Sequence, residues 1–334
     1  MSKEIDLAII RYGASLITET GARYILDNAV TSIAWEEQEG QLASKATLTV
    51  ATHAKVEGKN IRSLLKLNRT LRLYANWGKG KKKVFEGFVW EWAYTHGTQR
   101  TLTVTAYDPM IRLQQSKDHK YFSKGMDTKA IIGAICGEWG VPVNYAWAHS
   151  ITHEKKLFKA NAISDMILEL LDEVQKQKDA PYITIYRDGK LEINAYGNNK
   201  DVYVFGGNQT ISTSDKLSMN NLVTRVKILG KADDEGRAKV EAVVDGNLDF
   251  GILQEIVQRS EDTDFGKAKA EADTLIKENG KPEETITVTS PDLPFLRKGD
   301  AVKMKAGNLK GTFYAKGVSH NGTSRQMTMT LMRG

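Results

Sequence analysis

The chain has 334 residues, 41% of them hydrophobic, with six tryptophans and a single cysteine, and its 47 basic and 41 acidic side chains leave a net charge of +6. That length suits two or three domains with cores of their own, and a lone cysteine excludes an intrachain disulfide and any cysteine-based zinc site. Mild basicity permits nucleic acid as a partner without pointing to it, and no apolar run is long enough for a bilayer. Met1-Ser-Lys-Glu-Ile-Asp6 has neither the basic start nor the apolar stretch of a signal peptide, so a product made in the cytoplasm is expected.

From Ile5 to Tyr107 the pattern is mostly of period two, with Ile33–Trp35, Ala46–Val50, Leu71–Ala75, Val84–Trp92 and Leu102–Ala106 reading as antiparallel strands. Turns such as Glu39-Gly40 and the loop Gly78–Lys83 separate them, so residues 1–107 are expected to close as a small barrel or sandwich. At Asp108-Pro109 the period changes. A helix is expected from about Thr128 to Trp139, capped by Asp127, with Ile131, Ile132, Ile135 and Trp139 as its apolar stripe and Gly140-Val-Pro142 as its stop. A second runs from about Ala162 to Lys176, with Ile163, Met166, Ile167, Leu170, Leu171 and Val174 on one face. The segment Tyr182–Ile193 turns at Asp188-Gly189, a strong hairpin signal. Residues 108–215 therefore read as a small α+β domain.

Strands resume at Leu222–Ile228, Ala238–Val244 and Ile252–Val257, followed by a helix over Phe265–Lys277 with Asp262 or Asp264 as its cap. Glu284–Thr289, Ala301–Lys305, Thr312–Val318 and Gln326–Leu331 complete a second β-domain over 216–334. Its end repeats an earlier stretch: Gly97-Thr-Gln-Arg100-Thr-Leu102-Thr-Val104-Thr105 returns as Gly322-Thr-Ser-Arg325-Gln-Met327-Thr-Met329-Thr330. At the same offset Phe88 falls on Phe313 and Ala93 on Val318. Two similar β-domains in one subunit would let a trimer present a six-membered ring.

No constellation for chemistry stands out. The six histidines are scattered; His149 and His153, followed by Glu154, are the only pair at helical spacing and lie in a polar stretch without a third ligand. Neither a Gly-x-Ser-x-Gly elbow nor a phosphate-binding Gly-Lys loop occurs, and no catalytic, cofactor or metal residue is assigned. Lys79, Lys81, Lys82 and Lys83 lie beside Trp77, Phe85, Trp90 and Trp92, a mixture that single-stranded nucleic-acid binders use. A solvated hairpin tip beside a structural aromatic wall is the simpler reading, and these lysines are kept as a candidate lumen or partner contact.

Val104-Thr-Ala-Tyr-Asp108-Pro109, Leu113, Ser116-Lys117 and Ile135-Cys-Gly-Glu-Trp-Gly140-Val-Pro142, with Leu296-Arg-Lys-Gly299-Asp300-x-Val302, Gly311-x-Phe-Tyr314, Val318-Ser-His320 and Met327–Leu331, resemble the PBSX-type (XkdQ-like) tail hub proteins of contractile prophage tails and phage-tail-like bacteriocins. That family is related in fold to the baseplate hub of T-even phages and to the hub portion of the type VI secretion spike. The resemblance implies an α+β, mainly β chain in which two similar antiparallel, tail-tube-like β-barrels are separated by a small α+β domain. It implies a non-enzymatic homotrimer, a pseudo-hexameric ring adapting a six-fold tail tube to a three-fold spike. Partners would be the tube, the spike and other baseplate proteins, with no cofactor, no specific nucleic-acid ligand and no membrane contact in the resting particle. The rival readings are a nucleic-acid or polysaccharide binding β-barrel module and a cell-wall hydrolase component.

Overall fold

The computed structural model describes residues 10–77, 80–97, 100–259 and 264–334, so Ile5, Lys79, Thr98, Gln99 and Asp262 lie outside the described residues. The chain forms two compact units, one running up to Thr213 and resuming over Thr287–Gly334, the other being Ser214–Ile286.

The larger unit begins with β1 (Arg11–Ile17), β2 (Arg23–Ile25), β3 (Val30–Glu37), β4 (Lys45–Ala51), β5 (Lys55–Val56), β6 (Lys59–Asn60), the short helix α1 (Ile61–Leu64), β7 (Thr70–Asn76), β8 (Lys81–Thr95) and β9 (Thr101–Tyr107). In β4, β7 and β9 every second residue is buried, as a pleated strand with one face on a core requires. Leu48, Val50, Leu71, Leu73, Leu102 and Val104 meet in that core with Trp35 and Leu16. Each fully buried aliphatic side chain contributes roughly 1.5–3 kcal/mol. Threonines occupy the outward positions, and Thr49 faces Thr103 across the β4–β9 ladder with hydroxyls 3.4 Å apart.

Next come α2 (Ile111–Gln115), β10 (Lys117–Phe122), α3 (Thr128–Glu138), β11 (Val143–Tyr145), β12 (Lys156–Ala162), α4 (Ile163–Lys178), β13 (Tyr182–Arg187) and β14 (Lys190–Ala195). They share a separate core in which the α3 and α4 stripes pack with Trp147, Phe158 and Leu191. Asp127 caps α3 by accepting from the Ala130 amide at 2.9 Å. Trp139, expected on the buried stripe, is instead the helix C-cap and 38% exposed, because the backbone leaves the helix there and Gly140 follows at φ +64°. Asp188 and Gly189 both have positive φ, 48° and 80°, the geometry of a hairpin turn that matches the twist of its strands.

The remaining elements are β15 (Tyr203–Gly206), β16 (Ser212–Ser218), β17 (Arg225–Ala232), β18 (Ala238–Asp245), β19 (Gln254–Gln258), α5 (Phe265–Asn279), β20 (Glu283–Pro291), β21 (Ala301–Ala306), β22 (Leu309–Asn321) and β23 (Gln326–Arg333). The smaller unit holds the sheet β18-β17-β19 with α5 laid on it, its core made by Val226, Ile228 and Val257 against Ala268 and Ala272. Of the two candidate caps for α5, Asp264 accepts from the Lys267 amide at 2.8 Å. The expected domain 216–334 is thus not one body: its first part is compact by itself, and 287–334 is built into the larger unit. The physical reason lies in the sheet, because the last strands reach their edge partner in the first segment.

That sheet runs β16-β20-β23-β22-β3-β4-β9-β8-β7-β1-β2, with β21 beside β22 and β15 beside β21. One order occurs in it twice: β3-β4-β9-β8-β7 and β16-β20-β23-β22-β21, each the first, second, fifth, fourth and third strand of its copy. Finer features repeat as well. Thr289 and Thr328 hydroxyls lie 3.3 Å apart, where the first copy has Thr49 and Thr103. The Thr52 amide donates to the Arg100 carbonyl and the Asp292 amide to the Arg325 carbonyl. Both closing hairpins shift register by a bulge, opposite Thr105/Ala106 in one and Thr330/Leu331 in the other. The bulges also correct the expected pairing of Phe88 with Phe313 and Ala93 with Val318. Val89 and Ala315 hold the same place beside the bulge, so Phe88 matches Tyr314 and Ala93 matches Ser319. The first copy has one more loop residue before β9, which displaces the preceding strand by one.

Candidate assembly site

The two copies meet where the far end of β22 pairs with β3: Val318 faces Glu37, Ser319 faces Glu36, His320 faces Trp35 and Asn321 faces Ala34. The strand alternation that buries Val318 and His320 from one side buries Trp35 and Glu37 from the other. The Trp35 and His320 rings stack at 4.5 Å, only 8° from parallel. His320 Nδ1 lies 2.6 Å from Asp292 Oδ1 and Nε2 lies 3.0 Å from the Leu296 carbonyl, while the Tyr12 hydroxyl donates to the other Asp292 oxygen. Burial first, and then the neighbouring Asp292 charge, push the Tyr12 phenol far above its ordinary range. Tyr, Asp and His in contact resemble a proton relay, yet His320 and Asp292 are 1% and 2% exposed and the indole covers the imidazole. This arrangement ties the copies together, with the polar atoms of Tyr12, Asp292 and His320 engaged by one another and by the Leu296 carbonyl.

One register step along, Glu37 is 4% exposed. Arg297 Nε reaches its two oxygens at 2.8 and 2.9 Å, with the guanidinium Nη2 also bound, and the Lys298 amide donates at 3.0 Å. Burial alone would raise the Glu37 carboxyl, but Arg297 and Lys298 outweigh it and hold the group down to about 2. Lys298 spends its ammonium on the carbonyls of Gln38 and Gln41, at 3.0 and 2.8 Å, and its burial lowers it to about 8. Asp108, raised by burial to about 6, ties the start of the insert to β4 by accepting from the Ser44 and Met110 amides. Gly322 is needed at this joint because its amide bonds the Ile33 carbonyl at 2.9 Å and a Cβ there would lie 2.7 Å from Ile33 and 2.9 Å from Tyr12.

The lysine run divides. Lys81 sits 3.4 Å from Asp27, Lys82 lies over the Trp77 ring at 4.8 Å, and Lys83 pairs with Glu86 at 3.1 Å. Successive residues of β8 face opposite ways, so these three do not converge on one ligand, and exposed pairs of this kind contribute roughly 0–1 kcal/mol each. Lys83 also borders a cleft of about 450 Å³ together with Arg187, Asn199, Tyr203, Phe295 and Asp300. Trp90 and Trp92, expected in a wall or interface, are 41% and 37% exposed. His153 is occupied within the insert by Thr128 at 2.8 Å and Glu173 at 3.0 Å, and no group of three metal-ligating side chains exists among the described residues. Sequence reasoning passed over Glu37, Trp35 and Asp292 as site residues. The signal available was Leu296-Arg-Lys-Gly299-Asp300, whose cations turn out to hold Glu37.

The chain is similar to the uncharacterized protein YqbQ of Bacillus subtilis (strain 168), 22% identical over 255 residues that cover 75% of this chain and 77% of the relative. In fold it is similar to the 43 kDa tail protein of prophage MuSo2 from Shewanella oneidensis, with a TM-score of 0.69, 14% identity and coverage of 97% and 98% of the two chains. A tail protein from Neisseria meningitidis MC58 is similar too, with a TM-score of 0.67, 11% identity and 96% of each chain covered. The match that reaches beyond fold is to a family model over residues 33–332, and by it the chain belongs to the YqbQ-like family.

Proposed function

We propose that this protein is a structural hub of a contractile, phage-like tail, a homotrimer whose paired copies make a six-membered ring between the tail tube and the three-fold spike. The observation that carries this is the five-strand order present twice in one chain. Three subunits with two equivalent copies each supply six equivalent positions while keeping three-fold symmetry, as an adapter between six-fold and three-fold partners requires. Likeness of fold to two tail proteins supports the same reading. In it, each copy is one tube-like domain, the α+β insert follows β9, and the β17–β19 sheet with α5 is a second insertion, placed between β16 and β20, the first two strands of the second copy. The role is assembly rather than catalysis, and the Lys81–Lys83 stretch faces the lumen or the next ring.

The test is co-expression with the tube and spike proteins of the same gene cluster, followed by affinity capture and native mass measurement. Three copies of this chain captured together with both partners are expected. Capture of neither partner would refute the hub reading.

A further inference from the structure

The two copies differ in one respect that their shared topology makes informative. In the second copy the far end of the fourth strand, Val318–Asn321 of β22, is paired with the first strand of the other copy, β3. The matching stretch of the first copy is Trp92–Thr95 of β8. On that side β8 pairs with β7 only as far as Phe88, with Asn68 and Arg69 bonding Val89. Beyond it no strand is hydrogen-bonded to this edge among the described residues. The first strand of the second copy, β16, is outermost in the sheet order. One fourth-strand edge and one first-strand edge are therefore left over per chain, and they are the counterparts of the two edges that meet inside it.

We infer that Trp92–Thr95 of one subunit pairs antiparallel with β16 of the next, repeating between chains the joint that β22 and β3 make within one. The occupant is a second copy of this chain, and the inference rests on the proposed ring. The register follows from the internal joint. The Ile211 amide bonds the Thr289 carbonyl, the place where Ser32 faces Thr49 in the first copy, so Thr213 is the counterpart of Ala34. Thr95 is the counterpart of Asn321. Since Asn321 faces Ala34, Thr95 faces Thr213 of the neighbour.

Burial supports this. At the filled joint Val318, His320, Trp35 and Glu37 are at most 4% exposed. At the open positions Trp92 and Tyr94 are 37% and 40% exposed, and β16 is exposed over nearly its whole length. Unpaired edges carrying exposed aromatics invite strand pairing; neither lysine nor proline lies within Trp92–Thr95, and Arg62 lies over the Trp92 and Tyr94 rings at 5.3 and 5.5 Å. The contact is head to tail, and three of them close a ring where each step turns by a third of a revolution, as the proposed three-fold assembly requires.

The test uses the full chain co-expressed with its tube and spike proteins. Thr95→Cys and Thr213→Cys are made singly and together; facing Cα atoms in an antiparallel pair lie about 4.5–5.5 Å apart, within disulfide reach. Mild oxidation should convert most of the double variant to covalent trimer, while mixed single variants stop at dimer and each single variant alone stays uncrosslinked. Asn321→Cys with Ala34→Cys, the internal pair, is the positive control. If wild-type chains assemble and the internal pair oxidises but 95 and 213 do not, or if 95 links to 95, the proposed joint is wrong while the hub reading stands. If wild-type chains join neither partner nor one another, the hub reading itself fails and this inference with it.

Discussion

Replacing Glu37 by Gln keeps the shape of the side chain and removes the charge that the Arg297 guanidinium and the Lys298 amide bind. The carboxyl is held from its ordinary 4.5 down to about 2 despite burial, a lowering worth roughly 3 kcal/mol of folding free energy at neutral pH. Independently, breaking a buried pair so that a cation is left uncompensated costs about 3–5 kcal/mol, so the two routes agree. For a body of this size the loss corresponds to a fall in Tm of roughly 6–12 °C. The sign with pH is also determined. Because the folded carboxyl titrates below its unfolded value, its contribution is complete above 4.5 and is lost as pH falls toward 2. Thermal melts of wild type and Glu37→Gln should therefore differ at pH 7 and draw together as pH falls below 4.5 toward 2. A difference of less than about 2 °C at pH 7, or one that persists undiminished at pH 3, would show that Arg297 and Lys298 do not hold this group as described.

Two further substitutions probe the packing. A Cβ on Gly87 would lie 2.2 Å from the Tyr107 carbonyl oxygen, a backbone atom that cannot swing aside, so Gly87→Ala should cost at least roughly 2 kcal/mol by denaturant midpoint. Gly133→Ala, in α3 with nothing within 4 Å, should instead gain about 0.5–1 kcal/mol; equal effects at both positions would contradict the geometry of β8. Cys136 is 0% exposed and its thiol is pushed up to about 12 by burial, so a thiol reagent at pH 8 should find it inert in the native chain and fully reactive in denaturant. Rapid labelling of the folded protein would place it outside the α3–α4 core.

Much of this was legible in the sequence wherever a short-range physical rule applied. Alternation located the strands of both copies, the Asp127 cap and the apolar stripes located α3 and α4, and Asp188-Gly189 located its hairpin. The repeat was visible in β9 and β23 because inward Leu102, Val104, Met327 and Met329 alternate with threonines that the ladder keeps facing threonines. It misaligned the strand before, since one extra residue in a loop is invisible to matching at a fixed offset and becomes visible only through the bulges. The insertion of the β17–β19 sheet and α5 between β16 and β20 was equally hidden, because the two sides of that pair are separated in the chain by elements with their own core. The site itself depended on partners far apart in the chain, such as Glu37 with Arg297 and Trp35 with His320. No local pattern marks which buried acid will meet which distant cation.

The chemistry chosen for the joint follows from what alternation can and cannot specify. A one-residue slip of β3 on β22 would turn Trp35 and Glu37 to the opposite face, and hydrophobic burial alone opposes that. A two-residue slip keeps the same residues inward and moves them by only about 7 Å, so a purely apolar joint would discriminate poorly against it. Glu37 changes the comparison: in the slipped register it leaves Arg297 and Lys298, which stay behind under the same sheet, and an uncompensated buried charge costs several kcal/mol. Asp292 adds a second fixed point by engaging His320 on one copy and Tyr12 on the other. Polar groups placed here therefore contribute to the exclusion of neighbouring registers as well as to the depth of the folded state. The proposed ring, whose copies would repeat one geometry around an axis, depends on that exclusion, since a slip at one joint would prevent the others from closing.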